Sequence, residues 1–318
     1  MKIAITGGDG FIGRNLAVQL KKENPSYDIV SLDLTSPQPV DVTNLDQLMD
    51  ALKDVDVIYH LAAEHRDDVR PIQKYYDVNV GGAQNIVAAA KAHNIKRIIF
   101  TSTVAVYGLN AGESRETDTP APFNDYGQSK LDSEKIFEEW AGDESDNTLI
   151  TLRLVATFGA GNRGNIYTLI AQIARKKFIM IGNGKNHKSI AYVENVAGFL
   201  TYCLTYETSG THIFNYADKP DLNMHDLITQ IRISLGMSAR GIGLPYIAGK
   251  IGGHSFDVLA RITGKNFPIS AIRVEKFCAD TIVNADKIQT TGYTPRHSLN
   301  EGLDIMIKAE FPQRANAA

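Results

Sequence analysis

Tyr126 and Lys130 stand four residues apart in YGQSK, a spacing that puts a phenol and an ammonium one turn apart on the same side of a helix. An isolated tyrosine titrates near ~10, too high for a base at neutral pH. A cation beside it favours the phenolate, which makes Tyr126 a candidate proton acceptor. Y-x-x-x-K alone also describes an ordinary surface pair. Here it follows TSTVAVYG, in which Thr101, Ser102 and Thr103 close an apolar run and offer a hydroxyl to the same substrate oxygen.

A second stretch with chemical meaning is KIAITGGDGFIG, residues 2–13. A β-branched apolar run ends in glycines and passes into apolar residues at helical spacing (Phe11, Ile12, Leu16, Leu20), which reads as strand, tight turn and helix. Gly7, Gly8, Gly10 and Gly13 satisfy both G-x-G-x-x-G and G-x-x-G-x-x-G. The missing side chains let backbone N–H groups and the helix N-terminus approach a pyrophosphate. A second strand, DIVSLD, ends in Asp33 twenty positions after Gly13. A carboxylate there accepts hydrogen bonds from a ribose 2′-OH and repels a 2′-phosphate, so the expected dinucleotide is NAD rather than NADP.

The elements that must position these groups alternate. Strands are expected at residues 2–6, 28–33, 56–61, 96–102 and 148–154, and helices at 11–21, 44–53, 75–93 and 125–140. Near-continuous apolar strands between helices signal an α/β doubly wound parallel sheet of the Rossmann kind, with its ligand beyond the strands' carboxyl ends. Residues 1–156 form the expected NAD-binding domain, with 187–217 returning to it through a helix from Val193 and the strand THIFNY. Residues 157–186 and 218–318 form a smaller, mostly helical substrate domain.

Composition narrows the partners. The chain has 318 residues, 43% hydrophobic and 22% charged, as in a globular protein with a large core. A net charge of -3 without a basic block argues against nucleic acid. Cys203 and Cys278 form no C-x-x-C, and the eight histidines show no metal-ligand spacing, so neither a disulfide frame nor a metal is expected. No run approaches the ~18 apolar residues of a membrane span, and Met1 leads straight into the first strand, so a cytoplasmic location is expected. Residues 241–276 combine apolar residues with Lys250, Arg261, Lys265, Arg273 and Lys276. That composition suits either an ordinary basic-edged helix or peripheral contact with an anionic membrane. Glu64 and His65 follow the third strand, either as substrate contacts or as part of a solvated loop with Arg66, Asp67 and Asp68.

Taken in order, TGGDGFIG, Asp33, HLAA (60–63), Asn79 in DVNVGGAQN, TSTVAVYG and YGQSK resemble the extended short-chain dehydrogenase/reductase family, in its NAD-dependent sugar epimerase/dehydratase branch. The resemblance implies a catalytic triad of Thr103, Tyr126 and Lys130. It implies cofactor contacts at Gly7, Gly10, Phe11, Ile12, Asp33, Asp41, Val42, Leu61, Ala63, Asn79 and Lys130, with Asp41 and Val42 beside the adenine, and a homodimer. LAAEHRDDV, NRGNIYTLIAQI, KSIAYVENV and ITGKNFPISAIRVEKFCADT are further similar to members that epimerise C4 of an N-acetylglucosamine on undecaprenyl diphosphate, in O-antigen or surface polysaccharide synthesis. Such a reaction passes through a 4-keto sugar.

Members acting on free nucleotide sugars usually carry R-x-x-N-x-x-G after the fifth strand. Here the run from Arg153 to Gly159 has Ala156 at the asparagine position, Lys188 stands where an arginine is common, and Asn195 where an aspartate is common. These departures favour a diphosphate carrier other than UDP, held by Arg163, Asn165, Lys188 and Arg273; each of these is equally acceptable as a solvated surface group. A UDP-GlcNAc or UDP-glucose 4-epimerase, or a nucleotide-sugar 4-ketoreductase, is the alternative. Asp33 counts against the NADPH-dependent form of the latter. A non-catalytic NAD sensor is the remote reading, since a sensor has no need of Thr103, Tyr126 and Lys130 together.

Overall fold

Six short apolar runs pair into one parallel sheet. The structure, a computed structural model, describes residues 1–66, 69–108, 112–239, 241, 243–248, 250–251 and 278–312. In chain order the sheet strands and main helices are β1 (Lys2–Thr6), α1 (Phe11–Glu23), β2 (Asp28–Leu32), α2 (Leu45–Ala51), β3 (Val57–His60), α3 (Gly82–Ala92), β4 (Arg97–Thr103), α4 (Asp125–Asp143), β5 (Thr148–Leu154), α5 (Asn165–Ala174), α6 (Val193–Tyr202), β6 (Gly210–Tyr216), α7 (Met224–Ser234) and α8 (Leu299–Glu310). The strand order is β6-β5-β4-β3-β1-β2, every pair parallel.

Successive strand residues point to opposite faces, and both faces are packed. Ile3, Ile5, Val57, Tyr59, Ile99, Ile150 and Leu152 join Leu16 and Leu20 of α1 and Val196, Phe199 and Leu200 of α6 on one side. Ala4, Ile58, Ile98, Phe100 and Leu149 join residues of α2, α3 and α4 on the other. Double burial explains why these strands read as unbroken apolar runs. The chain turns back on itself between β1 and β3, the place where such sheets bind ligands.

Two compact units divide the chain. The first comprises Met1–Thr157, Ala191–Ala217 and Val283–His297, and the second Phe158–Ile190, Asp218–Ile282 and Ser298–Ala318. The returning segment therefore starts at Ala191, four residues later than the 187 expected. A third piece, inside the range expected for the substrate domain, also belongs to the first unit. Asn284 N–H donates to Ser114 O (2.8 Å), Lys287 Nζ to Ile213 O (2.7 Å) and Tyr293 OH to Asn195 O (2.7 Å). Among the described residues of the second unit helices predominate over strands: α7 is capped by Asn223, α8 by a Ser298–Glu301 capping box, and short strand pairs join residues 180–181 to 243–244 and 187–188 to 222–223.

The helix expected over 75–93 is interrupted. A turn at Gln73–Tyr75 leads into a π-helical stretch, Tyr76–Gly81, before α3 begins. An extra residue in one turn re-aims a side chain without disturbing the apolar pattern around it, and such bulges gather at functional sites. Asn79 lies in this stretch. Among the described residues no helix is long and apolar enough to cross a membrane.

Candidate active site

The glycine loop leaves room for one kind of guest. Gly7 has φ +67°, and a Cβ on it would lie 2.9 Å from Ala62 N, so the loop after β1 runs against the chain leaving β3. Gly10 is the N-cap of α1, supplies no side-chain cap, and no acidic residue occupies the helix's first turn. Asp9, the acid within the loop, is turned elsewhere: it accepts hydrogen bonds from Ser31 Oγ (2.9 Å) and Ser36 Oγ (2.6 Å). The Ser36 and Ser31 hydroxyls hold its carboxyl below the usual range. The opening N–H groups of α1, at Phe11 and Ile12, are thus left to an anion such as a dinucleotide pyrophosphate. Asp33 follows β2; its Oδ1 accepts from Thr35 N–H (2.9 Å) and Oγ1 (2.8 Å), while its other oxygen accepts no bond among the described residues. These features fit NAD. Asp41 is braced in the same way by Thr43. Val42 is buried against Gly82, whose Cβ would approach its Cγ2 to 3.1 Å.

Thr103 ends β4, and its Oγ1 accepts from Ala105 N–H (3.2 Å), capping the 3-10 turn Val104–Tyr107. That turn touches α4 beside Tyr126, because a Cβ on Gly127 would come within 2.7 Å of Ala105 O. Asn124 caps α4 by accepting from Gly127 N–H (2.8 Å). The Tyr126 ring, half-buried, lies 6.3 Å from that of Tyr75. Asn79 ties these pieces together: its amide accepts from Glu64 N–H (2.9 Å) and donates to Glu64 O (3.1 Å) and Ser129 Oγ (2.9 Å). Ser129 in turn donates to Tyr126 O (2.9 Å). Leu61 and Ala63 lie on the chain leaving β3, between Thr6 and Asn79.

Lys130 is 2% exposed, with Nζ 4.1 Å from the centre of the Phe100 ring. Burial pulls its pKa down to about 7, against the raising effect of Glu134. His60 lies beneath. Burial, reinforced by the charge on Lys130, holds its pKa at about 3, so it stays neutral at physiological pH. Its Nδ1 lies 2.8 Å from Thr6 Oγ1, which accepts from Ala62 N–H (3.2 Å). Thr103 thus ends a central strand beside a turn that packs on α4, the helix that carries Tyr126 and Lys130, and the glycine loop follows β1 of the same sheet.

Of the diphosphate candidates, Arg163, Asn165 and Lys188 belong to the second unit. Arg163 is exposed, pairs with Glu310 (2.9 Å) and lies 4.2 Å over Tyr167. Asn165 opens α5 and is exposed. Lys188 Nζ donates to Ala279 O (2.6 Å) and Thr281 Oγ1 (3.2 Å). Arg273, Asp67, Asp68 and most of 241–276 lie outside the described residues. Glu64 is tied to Lys74 (2.8 Å) and Arg66 (3.2 Å); although burial works the other way, their bonds and charges bring its carboxyl down to about 2. Asn195 is wholly buried and exchanges two hydrogen bonds with the His297 backbone (2.8 and 3.1 Å), a structural use of the position where an aspartate is common.

Sequence reading missed the serines that brace Asp9, the Asn79–Ser129 link, and a buried pair between Glu134 and Arg153. The last carries a signal in the sequence: Glu134 is the next residue at four-fold spacing after Tyr126 and Lys130.

The parallel sheet and the glycine loop at its first strand define a Rossmann fold. The chain belongs to the NAD dependent epimerase/dehydratase family, whose sequence model matches residues 3–217. It is 41% identical over 317 residues to the N-acetyl-alpha-D-glucosaminyl-diphospho-ditrans,octacis-undecaprenol 4-epimerase of Escherichia coli O157:H7, covering 97% of this chain and 95% of that protein. It is 26% identical to a UDP-glucose 4-epimerase of Vibrio cholerae, over 96% of this chain and 94% of that one. The crystal structure of a Bacillus cereus UDP-glucuronic acid 4-epimerase in complex with NAD superposes with a TM-score of 0.77 at 24% identity, covering 97% of this chain and 98% of that one.

Proposed function

We propose that the protein interconverts N-acetylglucosaminyl- and N-acetylgalactosaminyl-diphospho-undecaprenol by epimerising the sugar at C4, for O-antigen or related surface polysaccharide. The observation that carries this reading is the extent of the likeness to the E. coli protein. At 41% identity it runs through 97% of the chain, so it includes both the unit with Tyr126 and the unit with the diphosphate candidates. Ala156, in place of the asparagine usual for UDP sugars, adds support.

The Tyr126 phenolate removes the proton from the sugar 4-OH and later returns it. Thr103 hydrogen-bonds O4 and fixes its distance from the phenol. Lys130, protonated, stabilises the phenolate and holds the cofactor ribose. NAD bound on the glycine loop supplies reversible hydride transfer at C4. The 4-keto sugar turns about its diphosphate linkage, so that reduction occurs on the opposite face. Arg163, Asn165, Lys188 and Arg273 hold the diphosphate, with Arg163 and Lys188 exchanging their present partners for it. The protein acts as a homodimer in the cytoplasm and touches the inner face of the membrane peripherally; exposed Ile247 (72%) and Ile251 (63%) offer apolar contact.

The test supplies N-acetylglucosaminyl-diphospho-undecaprenol and UDP-GlcNAc separately, without added cofactor, followed by acid release and chromatography of the sugars. Conversion of the lipid alone is expected. Conversion of only the UDP sugar, or a need for stoichiometric NADPH, overturns the proposal.

A further inference from the structure

Behind the Tyr126–Lys130 pair, the helix continues its four-residue stripe with Glu134 and Glu138. This part of α4 is buried although it is polar: Ser129, Lys130, Ser133 and Glu134 are all no more than 2% exposed. Glu134 meets Arg153 of β5 in a two-pronged pair, Nη2–Oε2 2.7 Å and Nε–Oε1 3.1 Å, with both side chains under 5% exposed. Arg153 Nη1 donates to Tyr107 OH (2.8 Å), which donates to Asn215 Oδ1 (2.7 Å). Asn215 in turn donates to Ser114 O and Asn284 O.

Stability alone gives little reason for a buried charge pair, since apolar residues of similar volume often do as well or better. Its location offers a reason. We propose that Glu134 and Arg153 act as positioning residues that set the charge on Lys130, and through it the readiness of Tyr126 to lose a proton. This rests on the proposed role of Tyr126 as the base.

On its own helix Lys130 has Tyr126 one turn before it and Glu134 one turn after, with Glu138 beyond; His60 of β3 lies within reach of its charge, and Arg153 of β5 and Tyr107 of the turn after β4 are linked to it through Glu134. His60 is neutral, and Tyr107 is held in the Arg153 bond. Burial raises the Glu138 carboxyl, helped by Glu134 and opposed by Arg153, so Glu138 belongs to the same field. The buried hydroxyls of Ser102 and Thr151 have no hydrogen-bond partner among the described residues and contribute dipoles, not charge. Glu134 is therefore the counter-ion one turn from Lys130, and Arg153 moderates it. The Glu134 carboxylate raises Lys130 against the effect of its burial.

The two partners should consequently act in opposite directions. In Glu134→Gln the ammonium loses its counter-ion, so Lys130 gives up its proton at lower pH. In Arg153→Met the carboxylate is unmoderated, and Lys130 keeps its proton to higher pH. The experiment measures the pH–rate profile of wild type, both single variants and Glu134→Gln/Arg153→Met, and titrates 13C-labelled lysine by NMR with Lys130→Met assigning the resonance. The expected result is a Lys130 midpoint, and with it the alkaline limb of the rate, displaced by about one pH unit downward in Glu134→Gln and upward in Arg153→Met. If the single variants do not fold, the double variant, with no unpaired charge, is expected to show a downward shift. Midpoints unchanged, or moved the same way in both single variants, overturn the inference. A wild type with a titrating Lys130 and no epimerisation instead sinks the proposed function.

Discussion

Tyr126→Phe is expected to lose turnover by about 10²- to 10⁴-fold, the range a positioned acid–base group supplies, while NAD binding survives. The substitution removes one oxygen. Its ring contact with Tyr75 at 6.3 Å persists, as does the backbone carbonyl that receives the Ser129 hydroxyl. None of the groups forming the phosphate cradle is touched: Gly7 meets Ala62, Gly10 opens α1, and Asp33 follows β2. Calorimetric titration with NAD and a radiochemical assay on the same preparation separate the two effects. Turnover within threefold of wild type would remove Tyr126 from the role of base.

Gly13→Ala is expected to weaken NAD binding by at least about a hundredfold and to lower the stability of the free protein by a few kcal/mol. A methyl group there would lie 2.3 Å from Gly7 O and 2.7 Å from both Gly8 Cα and Gly8 O. All three are backbone atoms and cannot rotate aside, so α1 or the loop must retreat, and the N–H groups aimed at the pyrophosphate retreat with it. Gly142→Ala is the control. It is exposed on α4, a Cβ there meets nothing within 4 Å, and alanine is the better helix residue, so a gain of about 0.5–1 kcal/mol with unchanged NAD affinity is expected. Thermal melts and NAD titrations of the two variants make the comparison.

What could be read from the sequence was whatever repeats or punctuates. The sheet strands are doubly buried, so each appears as an apolar run, and the expected 148–154 matches β5 residue for residue. The glycine turn and the Tyr126–Lys130 spacing are local patterns, visible without tertiary structure. What escaped depends on contacts distant in sequence. The π-helical turn that places Asn79 keeps the same apolar face as the helix around it, so periodicity passes over it. Val283–His297 belongs to the first unit through bonds to residues 114, 195 and 213, which no spacing announces. Arg153 was legible as part of a family pattern and Glu134 by its spacing after Lys130, but that the two pair, nineteen residues apart, emerges only when β5 packs against α4. Arg163 and Lys188 show the opposite difficulty: their residue type suits a diphosphate, yet Glu310 engages one and Ala279 and Thr281 the other.

The central claim is that one carbon of the sugar gives up its hydrogen and takes the same one back within a single active site. Incubating the protein with N-acetylglucosaminyl-diphospho-undecaprenol carrying deuterium at C4, without added cofactor, tests it directly by mass spectrometry of the released hexosamines. The account predicts an N-acetylgalactosamine product that retains the deuterium, with none lost to water. Product carrying protium at C4, or no product until reduced cofactor is supplied, would contradict it.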